Sequence, residues 1–331
     1  MSPTEVYDTY WRFAAERQSI YVRRLLEPDG PWTKDPILAA YRFTNAYRAA
    51  DRVSQFLIAN VQYGESRSQA PAEVFFRTLL FKFFNKIETW ELLEDQLGPL
   101  SWQAANFDAL CRVLDAAFRR GMRLYSAAYI MPAPGFGHDR KHANHLALLS
   151  QMMEDGLPAS IGKAKSLRSV FEMLLAYPGL GPFLAYQYAI DLNYSSLLGF
   201  SENDFVVAGP GALDGLAKCF ADTGGRTPEE VIAEIADRQE TEFRRLDLKF
   251  EGLFGRPLQL IDCQNLFCEI SKYARVRHPE VAGISNRKRI KQGFRAQARR
   301  MPIPQFPPRW GLIPALPKGD LAPASFQGRL L

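Results

Sequence analysis

Along most of the chain apolar residues recur at spacings of three and four, the rhythm of helices with one buried face. Residues 4–26 carry Tyr7, Trp11, Phe13 and Ala14 in that pattern. Residues 35–58 and 72–93 read alike, with few glycines or prolines inside, and 107–127 is another long helix. Residues 166–175 lead into a Pro-Gly turn, and 183–192 form the helix after it. Pro228–Arg245 is amphipathic and highly charged, and 258–275 predict a further helix. Alternating Val-, Ile- and Thr-rich runs are almost absent, so no sheet of any size is expected. There is no internal repeat, and residues 131–137 (MPAPGFG) read as a loop. The pattern predicts an all-α fold.

Composition changes this picture at the C-terminal end. Seven prolines fall within the last 31 of 331 residues, which predicts an extended tail. Between residues 281 and 300 stand Arg287, Lys288, Arg289, Lys291, Arg295, Arg299 and Arg300, with no acid. Those seven cations exceed the net +5 of the whole chain, so the rest is slightly acidic. A local basic run on a near-neutral body predicts a polyanionic partner held at one place. The expected division is a helical domain over residues 1–280, then a basic segment and proline-rich tail over 281–331.

Other chemistry is thinner. Cys111, Cys219, Cys263 and Cys268 form no CxxC pair, and reduced, mostly buried thiols are expected. His138, His142 and His145 share a helical face at i, i+4, i+7, but Asp139, Arg140 and Lys141 between them mark an exposed helix start, so no metal is expected. No apolar run reaches the ~18 residues of a bilayer span, and no secretory signal is visible. The expected setting is cytoplasmic: the host cytoplasm if phage-encoded, the nucleus if eukaryotic. No GxxxxGK[ST] sequence occurs, which excludes a P-loop kinase site in these residues.

The most specific segment surrounds Tyr177-Pro178-Gly179-Leu180-Gly181. A helix enters this turn and a second starts at Pro182, where the missing N–H costs nothing. Two glycines permit positive φ and close backbone approach. The free N–H groups around Gly179, Gly181 and Phe183 suit a phosphate. Asp204 follows Gly181 by 23 residues. Hairpin 177–190 with this aspartate resembles the core of the helix-hairpin-helix DNA glycosylase superfamily. The resemblance implies a glycosylase-like helical fold, a flipped-out nucleotide, and a carboxylate at the next helix start that stabilises positive charge or takes a proton. Glycosylases that form a Schiff base carry a lysine at the start of that second helix; here stand Pro182, Phe183 and Leu184, which argues against one.

Several clusters point to a narrower family. They are PWTKDPIL from Pro31, YRFTNAYRAADRVSQ from Tyr41, FRTLLFKFFN from Phe76, the turn GPGAL from Gly209, and DCQNLFCE from Asp262 with Lys272-Tyr273-Ala274-Arg275 after it. In this order, with the hairpin, they are similar to the α-glutamyl/putrescinyl-thymine pyrophosphorylase family, which includes amino acid:DNA transferases and the helical domain associated with 5-hydroxymethyluracil DNA kinases. The resemblance implies displacement on DNA: 5-hydroxymethyluracil, activated as a phosphate or pyrophosphate ester, exchanges that group for an amine. An amino acid or polyamine co-substrate is implied, with no other cofactor, and a 5-hydroxymethyluracil DNA kinase is an implied partner.

Candidate residues follow from that chemistry. Arg48 and Arg52, with Arg42, Asn45 and Gln55 nearby, are read as one helix whose guanidinium face holds the leaving group. Asp262, Asn265 and Glu269 fall on one stripe of an apolar helix, with Gln264 and Lys272 beside them, and buried polar groups there need partners. The expected catalytic carboxylates are Asp204, Asp262 and Glu269. The expected DNA contacts are Gly179, Gly181, Phe183, Arg287, Lys288 and Arg289. A monofunctional glycosylase excising a modified base, and a non-catalytic DNA-binding module, are the alternatives.

Overall fold

A computed structural model describes residues 1–295 and 301–314. The helices are α1 (Glu5–Leu26), α2 (Pro36–Ala40), α3 (Arg52–Phe56), α4 (Pro71–Phe84), α5 (Ile87–Leu97), α6 (Phe107–Arg119) and α7 (Lys141–Glu154). After them come α8 (Leu157–Ile161), α9 (Leu167–Leu175), α10 (Pro182–Asn193), α11 (Pro210–Cys219), α12 (Pro228–Arg245) and α13 (Leu260–Arg277). Strand among the described residues amounts to β1 (Ser2–Pro3) paired antiparallel with β2 (Phe220–Asp222). The all-α class is as the periodicity predicts. No helix of the described residues is long and apolar enough to cross a membrane.

The described residues pack as two compact units, one built on Met1–Asp51 with Ala208–Gln305, the other on Arg52–Val207 with Phe306–Trp310. In the first unit, α1 starts where Thr4 accepts the Val6 N–H at 3.1 Å. Its apolar face stacks Tyr10 on Phe267 of α13 (ring centroids 4.5 Å) and sets Trp11 edge-on to Phe243 of α12 at 5.1 Å. The closest helix pair is α11 on α13. A Cβ at Gly215 would overlap the Phe267 carbonyl oxygen and lie 2.7 Å from its carbon, so only glycine permits this crossing. The GPGAL segment is therefore no free turn: Gly209 caps α11, Pro210 opens it, and Gly211 lets Cys268 approach. The basic run up to Arg295 lies extended along this unit, where Arg42 donates its N–H to the Gln292 carbonyl (3.0 Å) and Phe294 to that of Ala40 (2.8 Å). Arg299 and Arg300 lie outside the described residues.

The second unit centres on α4, apolar on nearly every side from Val74 to Phe84. At its heart Lys82 meets Asp191 of α10 at 3.2 Å, with both side chains almost fully buried. Gln62 donates to the Asp191 carbonyl (2.8 Å) and to Thr78 (3.2 Å). Helices α9 and α10 pack against each other across the turn at residues 176–181. Ser166 caps α9, Gly179 holds φ +81°, Leu180 is buried, and Pro182 opens α10. Part of the proline-rich tail packs here: Trp310 meets Tyr194 edge-on at 5.6 Å, and Arg309 donates to the Ser195 carbonyl at 3.2 Å.

Three long helices read from periodicity are shorter or broken. The run 72–93 divides into α4 and α5 because Asn85 turns left-handed (φ 49°), its Oδ1 accepting from Lys82 Nζ at 2.7 Å. The run 107–127 ends at Arg119, with Gly121 at φ +82°. The run 35–58 is not one helix at all. It holds α2, an extended stretch, a 3-10 turn at Arg48–Ala50, α3, and a π-helical segment at Leu57–Gln62.

Candidate functional site

The break in 35–58 builds the most unusual polar site of the first unit. Asn45 donates its backbone N–H to Asp51 Oδ1 (2.8 Å) and its amide nitrogen to the Ala50 carbonyl (2.8 Å). These bonds give the backbone an alternative to the helical ladder, and Asp51 ends the turn extended, at φ −69°, ψ 145°. Arg17 reaches in from α1. Its Nε donates to the Thr44 carbonyl at 2.9 Å and its Nη2 to Asn45 Oδ1 at 3.0 Å. Glu269 of α13 completes the ring, its Oε2 accepting the Thr44 N–H at 3.0 Å and pairing with Lys272 Nζ at 2.8 Å. Lys272 lies over the Phe43 ring, 4.5 Å from its centroid.

The electrostatics are those of charge held out of water. Burial, with the Glu269 charge adding, pushes the Asp51 carboxyl up to about 7, against the opposing pull of the Asn45 N–H and of Arg17 and Arg48. Burial lowers the Arg17 guanidinium to about 10. Beside them the Tyr21 hydroxyl is buried without a hydrogen-bond partner, and burial together with the Asp51 charge raises its pKa. A carboxyl titrating near neutrality, flanked by fixed cations, can exchange a proton with a bound amine.

The predicted site residues divide into groups. Asn45, Glu269 and Lys272 come together here. Asp262 (3% exposed) holds the backbone: Oδ1 accepts the Arg48 N–H at 2.8 Å, and Oδ2 the Gln259 N–H at 3.0 Å in a capping box. Its carboxylate orients the Arg48 turn and the start of α13. Gln264 and Asn265 are buried on the same helix. The guanidinium face is not formed. Arg42 sits exposed in the extended stretch, Arg48 is buried in the 3-10 turn, and Arg52 is exposed at the start of α3, because α2 ends at Ala40 and no continuous helix carries all three. Gln55 is half-buried on α3.

Asp204 differs from expectation too. It stands exposed on a bend, its N–H to the Ser201 carbonyl at 3.4 Å, and the next helix begins only at Pro210 with Gly209 as its cap. Gly179 and Phe183 are half-buried at the hairpin and Gly181 exposed, while Arg287, Lys288 and Arg289 are exposed. The three histidines do not converge: His138 is exposed, and both ring nitrogens of His145 are engaged, by the Tyr125 hydroxyl (2.9 Å) and the Pro132 carbonyl (3.0 Å).

Arg17, Tyr21 and Asp51 were missed as site residues. Arg17 did carry a signal: it lies on the same α1 stripe as Tyr10, Phe13 and Tyr21, all buried, and a charge on such a stripe needs a partner.

The chain belongs to the family described as the helical domain of 5-hmdU DNA kinase, whose model matches residues 4–283. A relative, the 5-hmdU DNA kinase of Bacillus phage SP10, is 24% identical over 286 residues, 81% of this chain and 45% of the relative. The chain thus spans less than half the length of that relative. No solved structure matches.

Proposed function

We propose that this chain acts in hypermodification of DNA thymine: it binds DNA, extrudes an activated 5-hydroxymethyluracil and replaces the leaving group with an amine. The observation that carries the reading is the Asp51–Glu269–Arg17 cluster. Displacement needs an uncharged amine nitrogen to attack the base's exocyclic methylene carbon while the C–O bond to phosphate or pyrophosphate breaks. The nitrogen's proton passes to a carboxylate, and a carboxyl near pH 7 is suited to receive it. Arg17 and Lys272 supply fixed positive charge for a departing anion. Asp262 acts as a positioning residue through the Arg48 turn. The family match to a protein named for 5-hmdU in DNA supports the substrate class. Hairpin 177–190 and the exposed Arg287, Lys288 and Arg289 are the proposed phosphate contacts, and Asp204 is a second candidate carboxylate open to solvent-borne substrate.

A second reading is favoured by one observation, that the phage kinase is more than twice as long as the matched region. In it these residues recognise the modified base and the chemistry is supplied from outside them. Mass spectrometry of nucleosides separates the readings. The protein is incubated with 5-hydroxymethyluracil DNA, a 5-hydroxymethyluracil DNA kinase, ATP and candidate amines. A new amine-bearing nucleoside is expected, reduced ~10²–10⁴-fold by Asp51→Asn if Asp51 acts as general base. Release of a free base indicates a glycosylase; tight DNA binding with phosphorylated base alone indicates the recognition module.

A further inference from the structure

We propose that Cys111, Asp115 and His142 form a zinc site tying α6 to α7, independent of the base chemistry above. Cys111 and Asp115 stand one turn apart on α6, and His142 enters from the first turn of α7. The thiol sulfur, a carboxylate oxygen and a ring nitrogen all lie within 4.8 Å of one another. Zinc bonds of roughly 2.0–2.3 Å put tetrahedral donors about 3.3–3.8 Å apart, so small side-chain rotations close the site. The donors belong to the right chemical class: thiolate, imidazole and carboxylate select zinc over the hard cations.

Burial fits an open, three-ligand site. His142 is 2% exposed and its ring is fixed, with Nε2 2.8 Å from Asp115 Oδ1. Asp115 and Cys111 are half-exposed, which leaves a fourth position to water. A thiolate, a carboxylate and a neutral imidazole cancel the +2 charge, and Asp108, one turn before Cys111, adds attraction for a cation. The other grouping of potential ligands, Glu5, His278 and Glu280, has no thiol, and its two carboxylates are 58% and 60% exposed. Binding converts the Cys111 thiol to thiolate, its proton passing to solvent, so affinity should rise with pH.

The test uses the full chain, stripped with a chelator and titrated with Co²⁺ and then Zn²⁺. The expected result is one Co²⁺ per chain, with a thiolate-to-cobalt charge-transfer band and tetrahedral d–d bands that Zn²⁺ abolishes, and a Tm raised by Zn²⁺. Cys111→Ser should remove the charge-transfer band, and Asp115→Asn should weaken binding about tenfold or more. Cys268→Ser, on α13, should change neither. Metal-free Tm values confirm that the half-exposed Cys111 and Asp115 variants fold. Lack of stoichiometric cobalt binding, or a charge-transfer band that survives Cys111→Ser, overturns the proposal.

Discussion

Asp51→Asn tests the physical basis of the candidate site, because asparagine keeps the oxygen that receives the Asn45 N–H but never ionises. In the folded chain the carboxyl is raised from 3.8 to about 7, chiefly by burial. Between those two values the native state binds a proton that the unfolded state has released. The stabilisation from this group is therefore fully present below about pH 4 and lost as pH rises through about 7. Three pH units at about 1.4 kcal/mol each set an upper bound of roughly 4 kcal/mol. Partial exposure of Asp51 and solvent screening reduce that to about 2–3 kcal/mol. Urea unfolding of the wild type and Asp51→Asn, at pH 4.5 and 8.5, measures the difference directly and cancels the titration of all other groups. The stability of the wild type relative to the variant should fall by that amount between the two pH values, leaving the variant the more stable protein at pH 8.5. A difference that does not change with pH refutes the claim that Asp51 is held out of water. If Asp51 is the base, this stabilised variant should also be inactive, and wild-type turnover should rise through pH 7.

Three further outcomes follow from particular contacts. Gly215→Ala gains up to ~1 kcal/mol of helix propensity, but its Cβ overlaps the Phe267 carbonyl, so a net loss of about 2 kcal/mol is expected; equal or greater stability in chemical denaturation would show that α11 and α13 can separate freely. Lys82→Met removes the ammonium 3.2 Å from the buried Asp191 carboxylate in the second unit and should cost about 3–5 kcal/mol, read by thermal and urea unfolding, with recovery expected in a Lys82→Met, Asp191→Leu double variant. Reversing Arg287, Lys288 and Arg289 to glutamate should lower affinity for all DNA sequences alike, and the log–log salt slope should shrink by about 0.9 per lost phosphate contact; fluorescence anisotropy at several salt concentrations checks this, and unchanged affinity would make the run a solvated edge.

How much could be read in advance depended on which interactions decide each element. Helix α1, α12 and the α9–α10 hairpin were legible because local signals agree: Thr4, Thr227 and Ser166 cap, Pro182 and Pro228 open, and apolar residues keep the helical period between. The capping box of Thr227 with Glu230, where Glu230 Oε2 accepts the Thr227 N–H at 2.8 Å, can be found from the sequence spacing alone. Elements set by a single left-handed residue or by packing against a distant helix were not. Asn85 ends α4 through a left-handed turn, and GPGAL reads as a turn until α13 is seen lying against it. Asp204 was placed by analogy with another superfamily's spacing, and here the bend at residues 201–204 leaves it short of the next helix.

The stretch 41–51 shows why the site itself was the hardest part to foresee. Its apolar residues keep a helical period, and as a helix it would set Arg48 and Arg52 on one face with Asp51 beside them. The folded chain chooses otherwise because three partners from outside the stretch bind its backbone: Arg17 the Thr44 carbonyl, Glu269 the Thr44 N–H, and Asp262 the Arg48 N–H. None of these is local, the two acids being more than 200 residues away in sequence. In the conformation these bonds fix, Asp51 accepts the Asn45 N–H and its carboxyl is raised toward neutrality, chiefly by burial. Two of the residues that broke the expected secondary structure also act on the acid, Glu269 raising it and Arg17 opposing that rise, which is why a polar stripe on α13 together with a charge on the buried stripe of α1 was the better guide than the arginine spacing.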